Sequence, residues 1–416
     1  MDDFTSRFIT SGAWVCKNGY SLNKYIMKAY LDNAATSFPK PPHSLERVFE
    51  TISRGVGTPG RGMHEISAKA NDEIVVIRKQ LAKFFGVLED FRVVFTYSAT
   101  DALNMAIKGF VRDGDHVIIS SMEHNSVLRP LRGLESQGKI VLDVIPCDKK
   151  GYLNTKALYE KINEKTRLVV VSHASNVTGA IQPIEEIGKE VRKRGAFLLV
   201  DAAQTAGVLP LHLEKQHIDM LVFAGHKGLF ALQGTGGLVI GSRIEGLKAW
   251  REGGTGFDSK SESQPVNWPE AFEAGTHNIP GILSLGEGLT FIEDTGIETI
   301  AETELTHLRY LWEKLSYNEE VILYGPSPDE ARVAVLSFTI KGWDPEDIGH
   351  MLNQNYGIYV RTGLHCAPLA HKTIGTYGDD GEGTIRVSPG FFTTKLELKE
   401  FLKAIKNITS TKVGWY

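Results

Sequence analysis

The sequence predicts an α/β fold: a mainly parallel β-sheet with helices on both faces, followed by a smaller and more mixed α/β unit. Three observations predict it. Short apolar runs alternate with amphipathic segments from Arg92 to Ala224, the pattern of right-handed βαβ units. The chain has 416 residues, enough for a large α/β unit and a second domain with ample core. Polar residues that carry chemistry stand where the apolar runs end, which is where open parallel sheets hold their ligands.

In chain order, Leu31 to Thr36, followed by Pro39, Pro41 and Pro42, reads as a short extended segment and a turn, and Ser44-Leu45-Glu46-Arg47 opens a helix. The stretch Arg54 to Met63 carries Gly55, Gly57, Gly60 and Gly62 beside Arg61 and His64, a loop that approaches a ligand closely or else a flexible surface loop. Ile74, Ile77, Leu81 and Phe84 give the helix Ser67 to Phe85 one buried face. Strands are expected at Arg92 to Tyr97, His116 to Ser120, Lys139 to Ile145, Arg167 to Val171, Ala196 to Val200 and Met220 to Ala224. Helices are expected between them at Asp101 to Phe110, after Asn125, at Thr155 to Asn163 and at Ile184 to Arg194. Trp250 to Ala274, rich in Gly, Ser, Glu and Pro, reads as a long functional loop.

Beyond that loop come helices at Ile282 to Asp294 and Ile300 to Ser316, a strand at Arg332 to Ile340 and a helix at Pro345 to Tyr356. A strand at Ile358 to Arg361, a loop, a strand at Gly383 to Val387 and a closing helix at Lys395 to Asn407 complete the chain. The expected domains are 43–290, and 27–42 together with 291–416, the opening segment packing back on the second domain. Residues 1–26 read as a weakly ordered extension, either an arm on the fold or sequence upstream of a start at Met27.

Composition excludes several classes. With 42% hydrophobic and 23% charged residues this is an ordinary globular composition. The 46 basic and 50 acidic residues balance to −4 with no long block of like charge, so nucleic acid and anionic membrane are poor candidate partners. No apolar run approaches the roughly 18 to 20 residues that span a bilayer. The N-terminus lacks a basic region followed by an apolar one, so no secretory signal is expected. Cys16, Cys147 and Cys366 are too scattered for a disulfide framework or a metal site, and a reducing cytoplasm fits them.

The strand ends converge on one chemistry. Ser98-Ala99-Thr100 leads into a helix whose first amides attract phosphate. His124 follows the next strand and suits stacking on a planar ring, and Ser172 to Asn176 ends another with an amide side chain. Asp201 closes the apolar run Leu198-Leu199-Val200, where a carboxylate is expensive unless a cation or fixed donors meet it, and Gln204 lies close behind. Lys227 follows Met220 to Ala224 among glycines, where desolvation frees an amine for Schiff-base chemistry. A carboxylate for a ring nitrogen, an amine for an aldehyde and a helix N-terminus for a phosphate together describe a pyridoxal 5′-phosphate site.

Ordered segments carry a resemblance: LDNAAT, RGMH, SATDALN, EHNS, SHASNVTGA, VDAAQ, AGHK, FEAGT, RTGLHCAP and TIRVS. In this order the set resembles the cysteine desulfurase and selenocysteine lyase family, within class V of the fold-type I pyridoxal phosphate enzymes. The resemblance runs from about Leu31 to the C-terminal helix. It implies a seven-stranded, mainly parallel sheet in the large domain. It implies that Lys227 forms the Schiff base, His124 stacks on the ring, Asp201 pairs with the ring nitrogen and Gln204 with the phenolic oxygen. Ala99, Thr100 and His226 would hold the phosphate, and Thr276 a phosphate of the neighbouring subunit in a homodimer with shared sites. Asn176, Arg361 and Arg386 would take the substrate carboxylate, a task suited to the planar guanidinium.

Cys366 separates this family from the aminotransferases. A free cysteine is most often a small core residue, but a polar loop with glycine, histidine and proline is the wrong place for one. The resemblance implies that Cys366 attacks the sulfur of L-cysteine, or the selenium of L-selenocysteine, releasing alanine and keeping a persulfide for an acceptor thiol or protein, as in sulfur mobilisation for iron–sulfur cluster assembly. A class V aminotransferase or another β-lyase would not need that cysteine. The chain departs from the family pattern in places. Ala224 stands where many relatives have Ser, Leu364 where they have His, and LHCAP is a residue shorter than the common form. Leu369 to Glu382 is longer than in that form, and is expected to cover the site.

Overall fold

Aliphatic and β-branched runs form the strands because they fill a pleated surface buried on both faces. The structure, a computed structural model, describes residues 27–410 apart from residues 61, 63, 259 and 379–382. The expectations for residues 1–26 and for Arg61 lie outside the described residues. The strands are β1 (Ala29–Tyr30), β2 (Val93–Thr96), β3 (Asp115–Ser120), β4 (Ile140–Ile145), β5 (Thr166–Ser172), β6 (Phe197–Asp201) and β7 (Met220–Ala224). They continue with β8 (Gly236–Ile240), β9 (Val321–Tyr324), β10 (Leu336–Ile340), β11 (Ile358–Tyr359), β12 (Arg361–Gly363) and β13 (Thr384–Val387).

Seven strands form one sheet in the order β2-β8-β7-β6-β5-β3-β4. The neighbours from β7 to β4 run parallel, and β8 is antiparallel to both β2 and β7. Alternate side chains feed two cores. Phe95, Val169, Val171, Leu221 and Phe223 pack on the face covered by the helices Glu65–Phe85, Ile184–Lys193 and Ile279–Thr295. Val94, Val170, Met220 and Val222 pack on the other face, under Ala99–Phe110 and Asn125–Ser136. This period-two division is the reason the runs read as continuously apolar.

The strand β8, absent from the expected strands, supplies the seventh. Its two leading glycines hide it, and packing demands them: a Cβ on Gly237 would lie 2.3 Å from the Phe223 ring. A third core lies between the antiparallel sheet β12-β13-β10-β9 and the helices Ile297–Ser316, Pro345–Met351 and Lys395–Ser410. The expected strand from Arg332 begins only at Leu336, and β9 was not expected at all. The expected loop after Cys366 contains a helix, Pro368–Ile374, closed by Gly375 at φ 83°.

The opening segment ties these parts together. β1 pairs in parallel with β11, Asp32 bridges to Ser388, and the Ser37 N–H donates to the His226 carbonyl at 3.0 Å. Among the described residues no helix is long and apolar enough to cross a membrane.

Candidate active site

The carboxyl ends of β2, β3, β5, β6 and β7 and the turns after them surround a cavity of about 210 Å³. Ala99, Thr100, His124, Asn176, Asp201, Gln204, His226 and Lys227 line it, so the structure brings together most of the residues expected from the sequence. Ala224 lines it too and offers no hydroxyl.

Glycines let the turns after β6 and β7 approach backbone to backbone. Gly207 sits at φ 86°, and a Cβ there would lie 2.2 Å from the Gly228 carbonyl oxygen. The reverse contact, Gly228 against Ala206, leaves 2.5 Å. That close approach delivers Lys227 beside the end of β6. Burial is the main cause that lowers its pKa to about 8; Asp201 opposes the shift, and Arg386 and Arg361 add to it. Asp201 is 6% exposed and receives the Ala203 N–H at 3.0 Å. Burial pushes its carboxyl up, with the Ala203 N–H and Lys227 pulling back. A buried carboxylate with so few donors is suited to a cationic N–H.

His124 caps the helix Asn125–Ser136, accepting the Ser126 N–H at Nδ1 (3.1 Å), so its ring proton sits on Nε2. Burial, reinforced by Lys227 and by Arg386, Arg361 and Arg129, lowers its pKa to about 4 and keeps the ring neutral. The Ser126 hydroxyl stands 2.9 Å from His124 Nδ1 and 2.7 Å from Thr100 Oγ1, linking the ring to the phosphate-side turn. That turn opens the helix Ala99–Phe110, whose Ser98 cap accepts the Asp101 N–H. His226, also neutral with its pKa lowered to about 4 chiefly by burial, has no partner for Nδ1. Gln204 donates to the Ala34 carbonyl at 3.1 Å. The amine, carboxylate, neutral imidazoles and helix N-terminus fit pyridoxal 5′-phosphate, whose ring nitrogen, aldehyde and phosphate call for these groups.

Behind Asn176, Arg386 is 2% exposed on β13, donating to Asn176 O (3.1 Å) and to Asp32 Oδ1 (2.8 Å), with Nε unpartnered. Arg361 faces it in register on β12. Asn176 in turn donates to the His365 carbonyl at 2.7 Å. The next residue, Cys366, is free and exposed. His365 and Cys366 both hold left-handed backbone, at φ 48° and 59°, an unfavourable geometry for side chains with a Cβ. The Asn125 N–H to the Cys366 carbonyl (2.7 Å) and His365 Nε2 to Thr384 Oγ1 (2.9 Å) hold it there.

Four expected residues are not among those that line that cavity within one chain: Arg361 and Arg386 on the neighbouring strands β12 and β13, Cys366 and Thr276. Cys366 opens outside it, next to His124 and Thr100, and Thr276 is exposed beyond it, its carbonyl accepting the Tyr97 hydroxyl at 2.7 Å. Sequence reasoning missed Ser126, Asp32 and the buried Glu123. The Glu123 carboxyl accepts from Ser120 (2.5 Å) and from the Ser172 hydroxyl (2.8 Å) and N–H, and burial pushes its pKa up to about 7. Position within the EHNS and LDNAAT segments was the available signal.

A model of the aminotransferase class V family matches residues 29–401. The chain belongs to that family, and its fold is that of the fold-type I pyridoxal phosphate enzymes. Its similar relatives are narrower in kind. A probable cysteine desulfurase of Synechocystis sp. is 34% identical over 390 residues, covering 91% of this chain and 90% of the relative. A cysteine desulfurase of Escherichia coli is 34% identical over 347 residues, covering 82% and 84%. The solved apo structure of cysteine desulfurase from Thermococcus onnurineus matches with a TM-score of 0.85 at 32% identity, covering 92% of this chain and 94% of that one.

Proposed function

We propose that the chain is a pyridoxal 5′-phosphate-dependent cysteine desulfurase that converts L-cysteine to L-alanine and takes the sulfur on Cys366 as a persulfide. The observation that carries this reading is a free, exposed Cys366 in the wall of a groove that shares Thr100, His124 and Ser126 with the cavity containing Lys227 and Asp201. The cofactor, when bound, supplies the electron sink that labilises bonds at the substrate Cα.

The chain's own residues do the rest. Ala99, Thr100 and His226 receive the phosphate, Asp201 holds the proton on the ring nitrogen, Gln204 reaches the phenolic oxygen and His124 covers the ring. Asn176, Arg361 and Arg386 take the substrate carboxylate, Arg386 being held against Asn176 by its bond to the Asn176 carbonyl. Lys227, a base near neutral pH, removes the Cα proton and returns it. The Cys366 thiolate attacks the substrate sulfur: an S–S bond forms, the Cβ–S bond breaks, and its electron pair stays on carbon, which is protonated to the alanine methyl group. Selenocysteine presents the same geometry with a more electrophilic atom and a weaker bond to Cβ, and is the second substrate of this reading.

The reading includes a homodimer, supported by Thr276, whose exposed position outside its own cavity leaves it available to a neighbour's phosphate. It also includes the division into domains 43–290 and 27–42 with 291–416, supported by the separate third core.

The test is direct. Holoenzyme with L-cysteine and a reducing thiol is expected to release equal amounts of alanine and sulfide. Cys366→Ala is expected to lower sulfide release by about 10²-fold or more while the bound cofactor's absorbance persists. Undiminished turnover in Cys366→Ala, with amino transfer to a keto acid, would replace this reading with a class V aminotransferase.

A further inference from the structure

The chain on both sides of Cys366 is tied to the large domain. Both carbonyls of the His365–Cys366 pair are bonded, to Asn176 and Asn125, and the following helix is docked through Thr373 on Ser121 (2.8 Å) and through Ala370 and Ile374 on Met122 and Val177. An acceptor must therefore come to the sulfur.

The route is a surface groove of about 530 Å³ that shares Thr100 and His124 with the cofactor cavity and has Cys366 in its wall. Its charged lining residues are Lys108 and Arg129, both exposed, and no carboxylate is among the residues that line it. Lys108 is held over the Trp250 ring at 5.3 Å, while Pro130 and Leu134 supply an apolar floor. The volume suits a small molecule rather than a folded partner. The charge selects an anion.

Resting on the desulfurase reading, we propose that this groove receives a small, carboxylate-bearing thiol as the sulfur acceptor. Its thiolate attacks the outer sulfur of the Cys366 persulfide. The new bond joins acceptor sulfur to transferred sulfur, the old S–S bond breaks, and Cys366 leaves as thiolate, so no outside oxidant or reductant is needed. Arg129 and Lys108 attract the acceptor carboxylate and hold it while the sulfur passes.

The experiment separates the two half-reactions in holoenzyme. One equivalent of L-cysteine loads Cys366, read as alanine released and as a mass gain of one sulfur on the protein. The loaded enzyme is then mixed with 3-mercaptopropionate, 2-mercaptoethanol or cysteamine, which are alike in size and carry a negative, neutral or positive group, and rates are compared per thiolate. The anionic thiol is expected to discharge the persulfide fastest, by roughly tenfold or more over cysteamine at low salt, with the gap closing at high salt. Arg129→Glu with Lys108→Glu is expected to invert that order and leave alanine release unchanged. Equal discharge by the three thiols, or a charge reversal that slows alanine release instead, overturns the proposal, the latter making the groove the route of cysteine itself. Failure to form alanine and persulfide in the unmodified protein would remove the desulfurase reading, and this one with it.

Discussion

Lys227 was legible because a lysine after a buried apolar run is chemically conspicuous, and so were Asp201 and His124 at neighbouring strand ends. What the sequence concealed was how their charges are set. Ser126 joins the His124 ring to Thr100, and Glu123 is buried behind them between Ser120 and Ser172, contacts that depend on strand order rather than spacing. The lowered Lys227 pKa of about 8 has a directional consequence. Below that pH the free-amine fraction falls tenfold per unit; above it the fraction is constant, whereas an ordinary lysine keeps gaining amine up to about 10.4. The rate of cofactor capture by cofactor-free protein, followed by absorbance, is therefore expected to rise to about pH 8 and then level off. A rate still climbing tenfold per unit at pH 9.5 would mean that burial does not tune this amine. The same shift sets a stability trend. Between about pH 8 and pH 10.4 the unfolded chain binds more protons at this lysine than the native chain does, so this group makes stability rise with pH across that window.

At the scale of elements, the parallel strands from β3 to β7 were readable because burial on both faces writes them as apolar runs. The antiparallel β8 was not, since its glycines serve contacts with Phe223 and the Ser98–Ala99 backbone, and a propensity reading sees a turn there. The helix Pro368–Ile374 was hidden for a related reason: it is short, and docking on Met122 and Val177 stabilises it more than its own pattern does. The turn pair after β6 and β7 makes the strongest demand on sequence. Gly207→Ala places a methyl group 2.2 Å from the Gly228 carbonyl at a φ that an L side chain avoids. It is expected to lower stability by about 2–4 kcal/mol, read from the denaturant midpoint, and to loosen cofactor retention because the Lys227 turn must move. Ala at Gly138, where φ is 67° and nothing lies within 4 Å, shares the backbone penalty without the clash and is the control.

The whole molecule depends on a segment that the sequence presented as a short extended stretch and a turn packing back on the second domain. Residues from Ala29 to Ser37 pair with β11, bridge to Ser388 and cross to the His226 carbonyl, so one strand of chain fastens the third core to the Lys227 turn. At its centre Asp32 neutralises Arg386, whose side chain is 3% exposed against 18% for Asp32. Removing one partner of such a pair leaves a desolvated charge, whereas removing both and filling the space does not. Asp32→Ala is therefore expected to cost about 3 kcal/mol in thermal or denaturant unfolding. It should also raise KM for cysteine more than it lowers kcat, because a guanidinium without its anchor is no longer held beside Asn176, its partner in the proposed carboxylate site. Asp32→Ala combined with Arg386→Met should regain most of the lost stability and none of the activity. If the double variant stays as unstable as the single one, the loss does not come from an uncompensated Arg386 charge, because the backbone bridge to Ser388 is the same in all three proteins.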